Sequence, residues 1–243
     1  MTYCVAVRSP NGLVFLSDSR TNAGVDQISV FRKMHVFEVP GDRVMVLMTA
    51  GNLAISQSIA SGLRVQMEND AEKSLKNAPN MFSAAKLVGD MVRKVYERDA
   101  TSLKEFGIEF NVNIIFGGQV GAEEPRLFNI YSAGNFIEAT EETPYFQIGE
   151  SKYGKPILDR VIGGKLSLDE VAKCCLISMD STIKSNLSVG LPLDLLCYER
   201  DSRRVTRQKT IDSRDPYFAS IRDKWAEQLR KVFNELPDPG YWE

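Results

Sequence analysis

The second residue of the chain could act as a nucleophile that carries its own base. Thr2 follows Met1 directly, and threonine is small enough that a preceding methionine is normally removed. The Thr2 hydroxyl would then lie a few bonds from a free α-amine with a pKa of about 7.7–8.0, which suits proton transfer at neutral pH. Such pairs activate a hydroxyl without histidine. Threonine at position 2 is common, so the hypothesis depends on the residues that follow.

A carboxylate and a lysine follow at positions that could serve this nucleophile. Asp18 ends an apolar, β-prone run, and a carboxylate at the end of a buried strand needs a partner. The expected partner is Lys33, whose charge near the N-terminus would lower the pKa of the amine by repulsion. The alternative interpretation of this pair is an ordinary surface ion pair.

The register of the hairpin that precedes Asp18 decides on which face of the sheet the Asp18 carboxylate lies. Two apolar runs on either side of Asn11-Gly12 predict a hairpin buried on both faces. A strict two-residue loop at Asn11-Gly12 would put Asp18 on the face opposite to Thr2. A loop with an odd number of residues that includes Pro10, or a bulge, would bring Asp18 to the face of Thr2. We expect the odd arrangement, because the carboxylate needs a partner.

Composition limits the functional classes. A chain of 243 residues can form one domain over residues 1–243, with residues 216–243 as a C-terminal helix and tail. The net charge of −2 argues against a nucleic-acid partner. No apolar run approaches the roughly 20 residues of a membrane span, and no signal peptide precedes Thr2, so we expect a cytoplasmic protein without a membrane partner. His35 is the single histidine, so we expect no multi-histidine metal site, and no cofactor motif is present.

Helical periodicity places two helices in the middle of the chain and two in its second half. The first runs over about residues 53–69, and the second runs from a cap at Asn80 to about residue 99. A third begins at Ser151. A fourth begins after Ser167, where Glu170 completes a capping box, and continues through about residue 178.

A last helix, from about Pro216, carries an apolar stripe that reaches Leu236. Intramolecular packing is the main interpretation of this stripe, and a subunit contact is the alternative. Strands, two helices, strands, two helices, strands and a helix together indicate an α+β fold with helices packed outside two sheets.

The sequence resembles a known family over nearly its whole length. It is similar to proteasome β-type subunits, and in particular to Anbu, a bacterial family of proteasome homologues. The resemblance implies the four-layer αββα sandwich of N-terminal-nucleophile hydrolases. The motifs that carry it are Thr2, Asp18-Ser19-Arg20-x-x-Ala23-Gly24, Lys33, Thr49-Ala50-Gly51 before a helix, and residues 21–29 and 149–156.

The resemblance also implies a set of site residues. Thr2, Asp18, Lys33 and Gly51 would be catalytic, with the Gly51 N–H as donor to the oxyanion. From the residues alone, Gly51 could equally serve only to permit a tight turn. The residues implied in substrate binding are Thr21, Phe31, Thr49 and Leu53, which would line the pocket, and Thr21 with Asn22, whose backbone would bind an extended peptide by strand addition.

The residues that would support Thr2 differ from the pattern of the family. Glu150 takes the place of a serine before the third helix, and Ser151 is adjacent to it. Asp180 would begin a turn after the fourth helix, and either Ser185 or Ser188 would supply the hydroxyl of that turn. Helix capping by Asp180 is the structural alternative.

The function implied is a threonine-type peptidase or amidohydrolase that acts on peptide or protein substrates. It would assemble as a homo-oligomer, either a ring or an open spiral, without an α-type partner. No nucleotide-binding motif occurs, so an ATPase partner would be a separate chain. Two alternatives remain: a hydrolase of small or isopeptide-type amides with the same chemistry, and a non-catalytic scaffold.

Overall fold

The structure, a computed structural model, describes residues 2–22, 28–69 and 71–241. Its strands are β1 (Tyr3–Ser9), β2 (Gly12–Asp18), β3 (Arg20–Asn22), β4 (Ile28–Val30), β5 (Met34–Val39), β6 (Arg43–Gly51), β7 (Val112–Val120), β8 (Arg126–Ile130), β9 (Phe136–Glu138), β10 (Tyr145–Gly149), β11 (Leu193–Glu199) and β12 (Arg207–Ile211). Its helices are α1 (Leu53–Glu68), α2 (Met81–Glu105), α3 (Ser151–Val161), α4 (Leu168–Ser185) and α5 (Pro216–Glu235). No helix within the described ranges has the length and apolarity needed to cross a bilayer.

The strands form two antiparallel five-stranded sheets and one short hairpin. The first sheet has the order β10-β1-β2-β11-β12, and the second has the order β5-β6-β7-β8-β9. The hairpin joins β3 to β4. Since β1 lies between β10 and β2, Thr2 stands at the start of an interior strand.

Three apolar clusters hold four layers together. Between the sheets, side chains such as Phe15 and Met48 interdigitate. The helices α1 and α2 cover the second sheet through residues such as Ile59 and Val88. The helices α3 and α4 cover the first sheet through residues such as Leu158. This arrangement confirms the α+β class and the αββα sandwich.

The start of α4 agrees with the prediction from the sequence, whereas the ends of α2 and α4 differ from it. Ser167 and Glu170 form the expected reciprocal capping box. However, α2 continues to Glu105 instead of ending near residue 99, and α4 continues to Ser185. Asp180 therefore lies inside α4, and the prediction of a turn that begins at Asp180 is wrong. The helix continues there because it packs against α5, a contact between segments far apart in sequence.

The hairpin of β1 and β2 has a two-residue loop at Pro10-Asn11, since Ser9 pairs with Gly12. The prediction of a loop with an odd number of residues is therefore wrong, although Asp18 does find a partner, since its carboxylate accepts from Lys33 Nζ. Gly12 belongs to the strand because β11 approaches it closely: its φ is +139°, and a Cβ there would overlap the carbonyl oxygen of Tyr198.

Candidate active site

Thr2 is half-buried and is held by the turn between β10 and α3. Its carbonyl oxygen accepts a hydrogen bond from the Glu150 N–H at 2.8 Å. The preceding residue in that turn, Gly149, has a φ of +82°, and a Cβ at this position would overlap the Thr2 carbonyl oxygen. Only glycine permits this backbone conformation together with so close an approach. The position of the proposed nucleophile therefore depends on Gly149.

Asp18 and Lys33 form a buried ion pair one residue away from Thr2. Asp18 Oδ1 accepts the main-chain N–H of Tyr3 at 3.0 Å and the Lys33 Nζ at 2.7 Å. Lys33 Nζ also donates to the carbonyl oxygen of Arg20 at 2.6 Å. Asp18 is fully buried and Lys33 is 5 % exposed, so this is not the surface ion pair of the alternative interpretation. The structure thus brings together the two charged groups that the sequence singles out.

Two effects shift the pKa of Asp18 in opposite directions. Burial raises the pKa of Asp18, whereas the Lys33 ammonium and the N–H groups of Tyr3 and Gly190 act to lower it. Asp18 Oδ2 is buried and has no hydrogen-bond partner among the described residues. A buried ion pair with incomplete hydrogen bonding is poor as a source of stability, because the desolvation of both charges offsets their attraction. The pair is connected to the residue after Thr2, because Asp18 accepts the Tyr3 N–H.

The Tyr3 side chain anchors the same strand to the helices. Its hydroxyl accepts from Gln147 Nε2 at 2.6 Å and lies 2.6 Å from Ser178 Oγ, which in turn donates to the carbonyl oxygen of Gly154 at 3.0 Å. Burial raises the pKa of Tyr3 far above its usual value, so the hydroxyl remains neutral. This network joins β1 to β10, α3 and α4. Sequence reasoning missed it, because its members are distant in the chain and Tyr3 resembles any apolar strand residue.

The end of β6 lies beside Lys33. The Thr49 N–H donates to the Lys33 carbonyl oxygen at 3.1 Å, and Thr49 is 4 % exposed. Gly51 has a φ of +112°, and a Cβ there would lie 2.5 Å from the carbonyl oxygen of Asn111. This close approach explains why position 51 is glycine. The next residue, Asn52, caps α1 and accepts the Ala54 N–H at 3.0 Å, so the chain turns into the helix directly after Gly51.

Among the supporting residues, Ser151 lies at the first position of α3, next to the turn that holds Thr2. Its carbonyl oxygen accepts from Gln147 Nε2 at 3.2 Å. Asp180 is an ion-pair partner of Arg222 on α5, at 3.3 Å, and it neither caps a helix nor contacts Thr2, Asp18 or Lys33 in the described part of the chain. The structure therefore gives Asp180 a role between helices.

The loop between α4 and β11 approaches the Asp18–Lys33 ion pair near the end of the loop, at Gly190. Ser185 is exposed at the last position of the helix. Ser188 lies in the loop itself, where its N–H donates to Asn186 Oδ1 at 2.9 Å. The loop reaches Gly190, whose N–H lies beside Asp18. Arg20 fixes this loop, because its Nη1 donates to the carbonyl oxygen of Leu187 at 3.1 Å. Ser188 thus lies in this loop two residues before Gly190, whereas Ser185 belongs to the helix.

The residues expected to bind substrate lie on β3, directly after β4, on β6 and at the start of α1. The backbone of Thr21 and Asn22 forms β3, and their side chains lie outside the described part of the structure. Phe31 is 38 % exposed, and its N–H donates to the Ser19 carbonyl oxygen at 2.9 Å. Leu53 is half-buried at the start of α1. Phe31 and Leu53 therefore both keep apolar surface available for a ligand.

A cleft of about 500 Å³ lies at the other end of β1, beside the turn that joins β1 to β2. Its two arginines, Arg8 and Arg200, both pair with Glu124, at 3.5 Å and 2.8 Å. Glu141 also lines the cleft, so its two arginines are balanced by two glutamates and the lining carries no net charge that would select a charged ligand.

Two sheets between layers of helices, with a threonine at the start of an interior strand and a buried aspartate–lysine pair beside it, define the class of proteasome subunits. The family model described as "Proteasome subunit" matches residues 2–190. The chain therefore belongs to the proteasome subunit family. A comparison with curated proteins gave no match.

Within this family the chain is similar to solved structures of Anbu. Anbu from Yersinia bercovieri, described as an ancestral beta-subunit, is 52 % identical with a TM-score of 0.93, over 99 % of this chain and 100 % of that chain. The helical assembly of the Anbu complex from Pseudomonas aeruginosa is 46 % identical with a TM-score of 0.94, over 99 % of both chains. Anbu from Hyphomicrobium sp. strain MC1 is 49 % identical with a TM-score of 0.89, over 98 % of this chain and 99 % of that chain. The resemblance to Anbu that the sequence predicts is confirmed.

Proposed function

We propose that this protein is a threonine-type N-terminal-nucleophile hydrolase that cleaves amide bonds in peptides or proteins. The observation that carries the proposal is the buried Lys33–Asp18 pair, which is hydrogen-bonded to the residue directly after Thr2. In this mechanism Met1 is removed first, because the reaction needs the free α-amine of Thr2. The position of Thr2 on the Glu150 N–H supports the proposal, since it fixes the nucleophile in one place.

The reaction would proceed through an ester. Thr2 Oγ attacks the amide carbonyl carbon while the α-amine of Thr2 takes the hydroxyl proton. The C–N bond then breaks, and the leaving amine receives that proton. Water, deprotonated by the same α-amine, hydrolyses the ester and restores Thr2. Lys33 would lower the pKa of the α-amine so that it is neutral near pH 7, and Asp18 would hold Lys33 in place. The N–H of Gly51 would stabilise the oxyanion.

Substrate would bind in extended form along β3. In the described part of the chain β3 pairs with no strand other than β4, so its second edge is available for strand addition. Thr21, Phe31, Thr49 and Leu53 would surround the side chain before the scissile bond. The partial exposure of Phe31 and Leu53 supports an apolar pocket of modest size.

Supporting hydroxyls would come from two places, the loop after α4 with Ser185 or Ser188, and the start of α3 with Ser151. Ser188 is favoured over Ser185, because its loop leads to Gly190 and Asp18. Ser151 is the second candidate, since it adjoins the turn that holds Thr2.

We also propose that the protein works as a cytoplasmic homo-oligomer. The similarity to the Pseudomonas aeruginosa protein, whose structure is a helical assembly, supports this part of the proposal. An ATPase that delivers unfolded substrate would be a separate chain.

Intact mass before and after incubation with a peptide epoxyketone tests the mechanism, because this reagent needs both the hydroxyl and the free α-amine. We expect loss of Met1 and one adduct, with no adduct on a Thr2→Ala variant. Retained Met1 without an adduct would contradict the mechanism and favour a scaffold. A trimmed chain without an adduct would exclude this peptide class as substrate and direct attention to small or isopeptide-type amides.

A further inference from the structure

The second half of α5 carries an apolar stripe that the described residues of this chain leave exposed. The buried residues of the helix are confined to its first turns, at Phe218 and Ile221. Beyond them, Leu229 is 52 % exposed, Val232 is 53 % exposed and Phe233 is 75 % exposed. The interpretation of the whole stripe as intramolecular core is therefore wrong for this half of the helix.

Residues 236–241, the described part of the chain after the helix, do not cover the stripe either. Leu236, where α5 ends, is 64 % exposed, and Tyr241 is 83 % exposed. Successive helical residues are rotated by about 100°, so Trp225, Leu229, Val232, Phe233 and Leu236 fall within an arc of about 100° on one side of α5. A stripe of this width is what a helix presents to a packing partner.

We propose that this stripe pairs with the same stripe of a second copy of the chain, with the two α5 helices antiparallel about a two-fold axis near Leu229. This inference rests on the homo-oligomer of the proposed function and names the surface that one of its contacts uses. A two-fold contact requires that a surface complement itself. With Leu229 on the axis, Trp225 of one copy lies opposite Phe233 of the other, because both are four residues from the axis.

The charges beside the stripe favour the antiparallel arrangement. Lys224 and Glu235 lie on the same flank of the helix, five residues before and six residues after Leu229. In the antiparallel pair each Lys224 faces Glu235 of the other copy, which gives two ion pairs across the contact. In a parallel pair the same flank of the two helices lies on opposite sides of the contact, so neither of these ion pairs can form.

The contact is too short to act alone. Residues 225–236 span about 18 Å of helix. Two helices that touch over this length bury much less than the roughly 800 Å² per partner of a standard interface. The α5 pair is therefore one of several contacts in the assembly, and its test must use the whole assembled chain.

Disulfide trapping tests this geometry. In a Leu229→Cys variant the two introduced thiols meet at the axis, whereas in the control Glu227→Cys they lie on the opposite face of α5. The native thiols give little background, since Cys4, Cys174, Cys175 and Cys197 are all buried. After mild oxidation of the oligomer, we expect a disulfide-linked dimer at least tenfold more abundant for Leu229→Cys than for Glu227→Cys.

Charge reversal in the Leu229→Cys background tests the register. Lys224→Glu alone and Glu235→Lys alone should each reduce the dimer yield several-fold, and the combination should restore it. Equal yields from the two cysteine variants, or no restoration, would overturn the proposed surface. Sedimentation velocity distinguishes failure of the α5 contact from failure of the proposed function. If the protein is an oligomer but Leu229→Cys gives no disulfide-linked dimer, only the α5 contact is overturned. If the protein is a monomer, the proposed homo-oligomer is overturned as well.

Discussion

Tyr3 donates its main-chain N–H to Asp18 Oδ1 at 3.0 Å, and this same oxygen accepts Lys33 Nζ at 2.7 Å. One carboxylate oxygen therefore holds both the strand that begins after Thr2 and the ammonium group of the proposed mechanism. Any change that displaces Asp18 should therefore move Thr2, the proposed nucleophile, together with the Lys33 charge.

Asp18→Asn should cost both stability and activity. The asparagine oxygen can still accept the Tyr3 N–H, but the Lys33 ammonium is left buried without a negative partner. Breaking one side of a buried ion pair destabilises proteins by about 3–5 kcal/mol, and we expect a loss of this size in urea unfolding. Amide hydrolysis should fall below detection, since Lys33 would no longer be held.

The double variant Asp18→Asn with Lys33→Met separates the two effects. It removes the unpaired charge, so most of the stability should return while activity stays absent. A double variant that is no more stable than Asp18→Asn would show that the cost does not come from the buried ammonium.

Gly149→Ala should displace Thr2 without removing any catalytic group. A Cβ at position 149 overlaps the Thr2 carbonyl oxygen, and the φ of +82° is strained for alanine. A shift of about 1 Å at a reacting group can cost about 100-fold, which is the loss we expect in the rate of epoxyketone addition. Gly163→Ala is the matched control, because a Cβ at Gly163 meets no atom within 4 Å. Equal rates for the two variants would contradict the role of Gly149.

Tyr3→Phe should loosen the strand of Thr2. It removes the hydroxyl that joins Gln147 to Ser178, with an expected loss of about 1–2 kcal/mol, although both partners keep another hydrogen bond. We expect kcat to fall while KM changes little, because the substrate groove is untouched. Tyr96→Phe, at an exposed site on α2, should change stability by less than about 0.5 kcal/mol. A Tyr3→Phe enzyme with the kcat of wild type would exclude this positioning role.

His35 should titrate below its ordinary value. Burial lowers the pKa of His35, and the nearby Arg64 lowers it further. The unfolded chain then binds more protons than the folded chain as pH falls below about 6.5, so this contribution to stability is lost as pH falls from there towards the folded pKa. His35 is the single histidine, so one imidazole NMR signal follows it. Its midpoint should rise in Arg64→Gln, and the slope of stability against pH in this range should be smaller in His35→Gln. A midpoint at or above 6.5 in wild type would contradict the shift.

The sequence predicts features whose causes are local. The capping box at Ser167 and Glu170 depends on residues within one turn, and the structure contains it. The pairing of Asp18 with Lys33 follows from the need of a buried carboxylate for a cation.

Features with distant causes escape sequence reasoning. The hairpin loop is Pro10-Asn11 because β11 approaches Gly12, a contact with Tyr198 that the local pattern does not contain. The continuation of α4 past Asp180 depends on Arg222 in another helix. The exposure of α5 beyond Ile221 likewise becomes visible only when the other layers are in place.

The interior position of β1 has a consequence for the timing of synthesis. Both of its neighbours are required to enclose Thr2, and β10 follows it in the chain by more than 140 residues. At about 5–20 residues per second, a ribosome delivers β10 on the order of 10 s after Thr2. Throughout that interval the first residues cannot yet occupy their native place in the sheet. An aminopeptidase therefore has several seconds to remove Met1 from the growing chain, before the sheet closes around the residue that the proposed reaction requires.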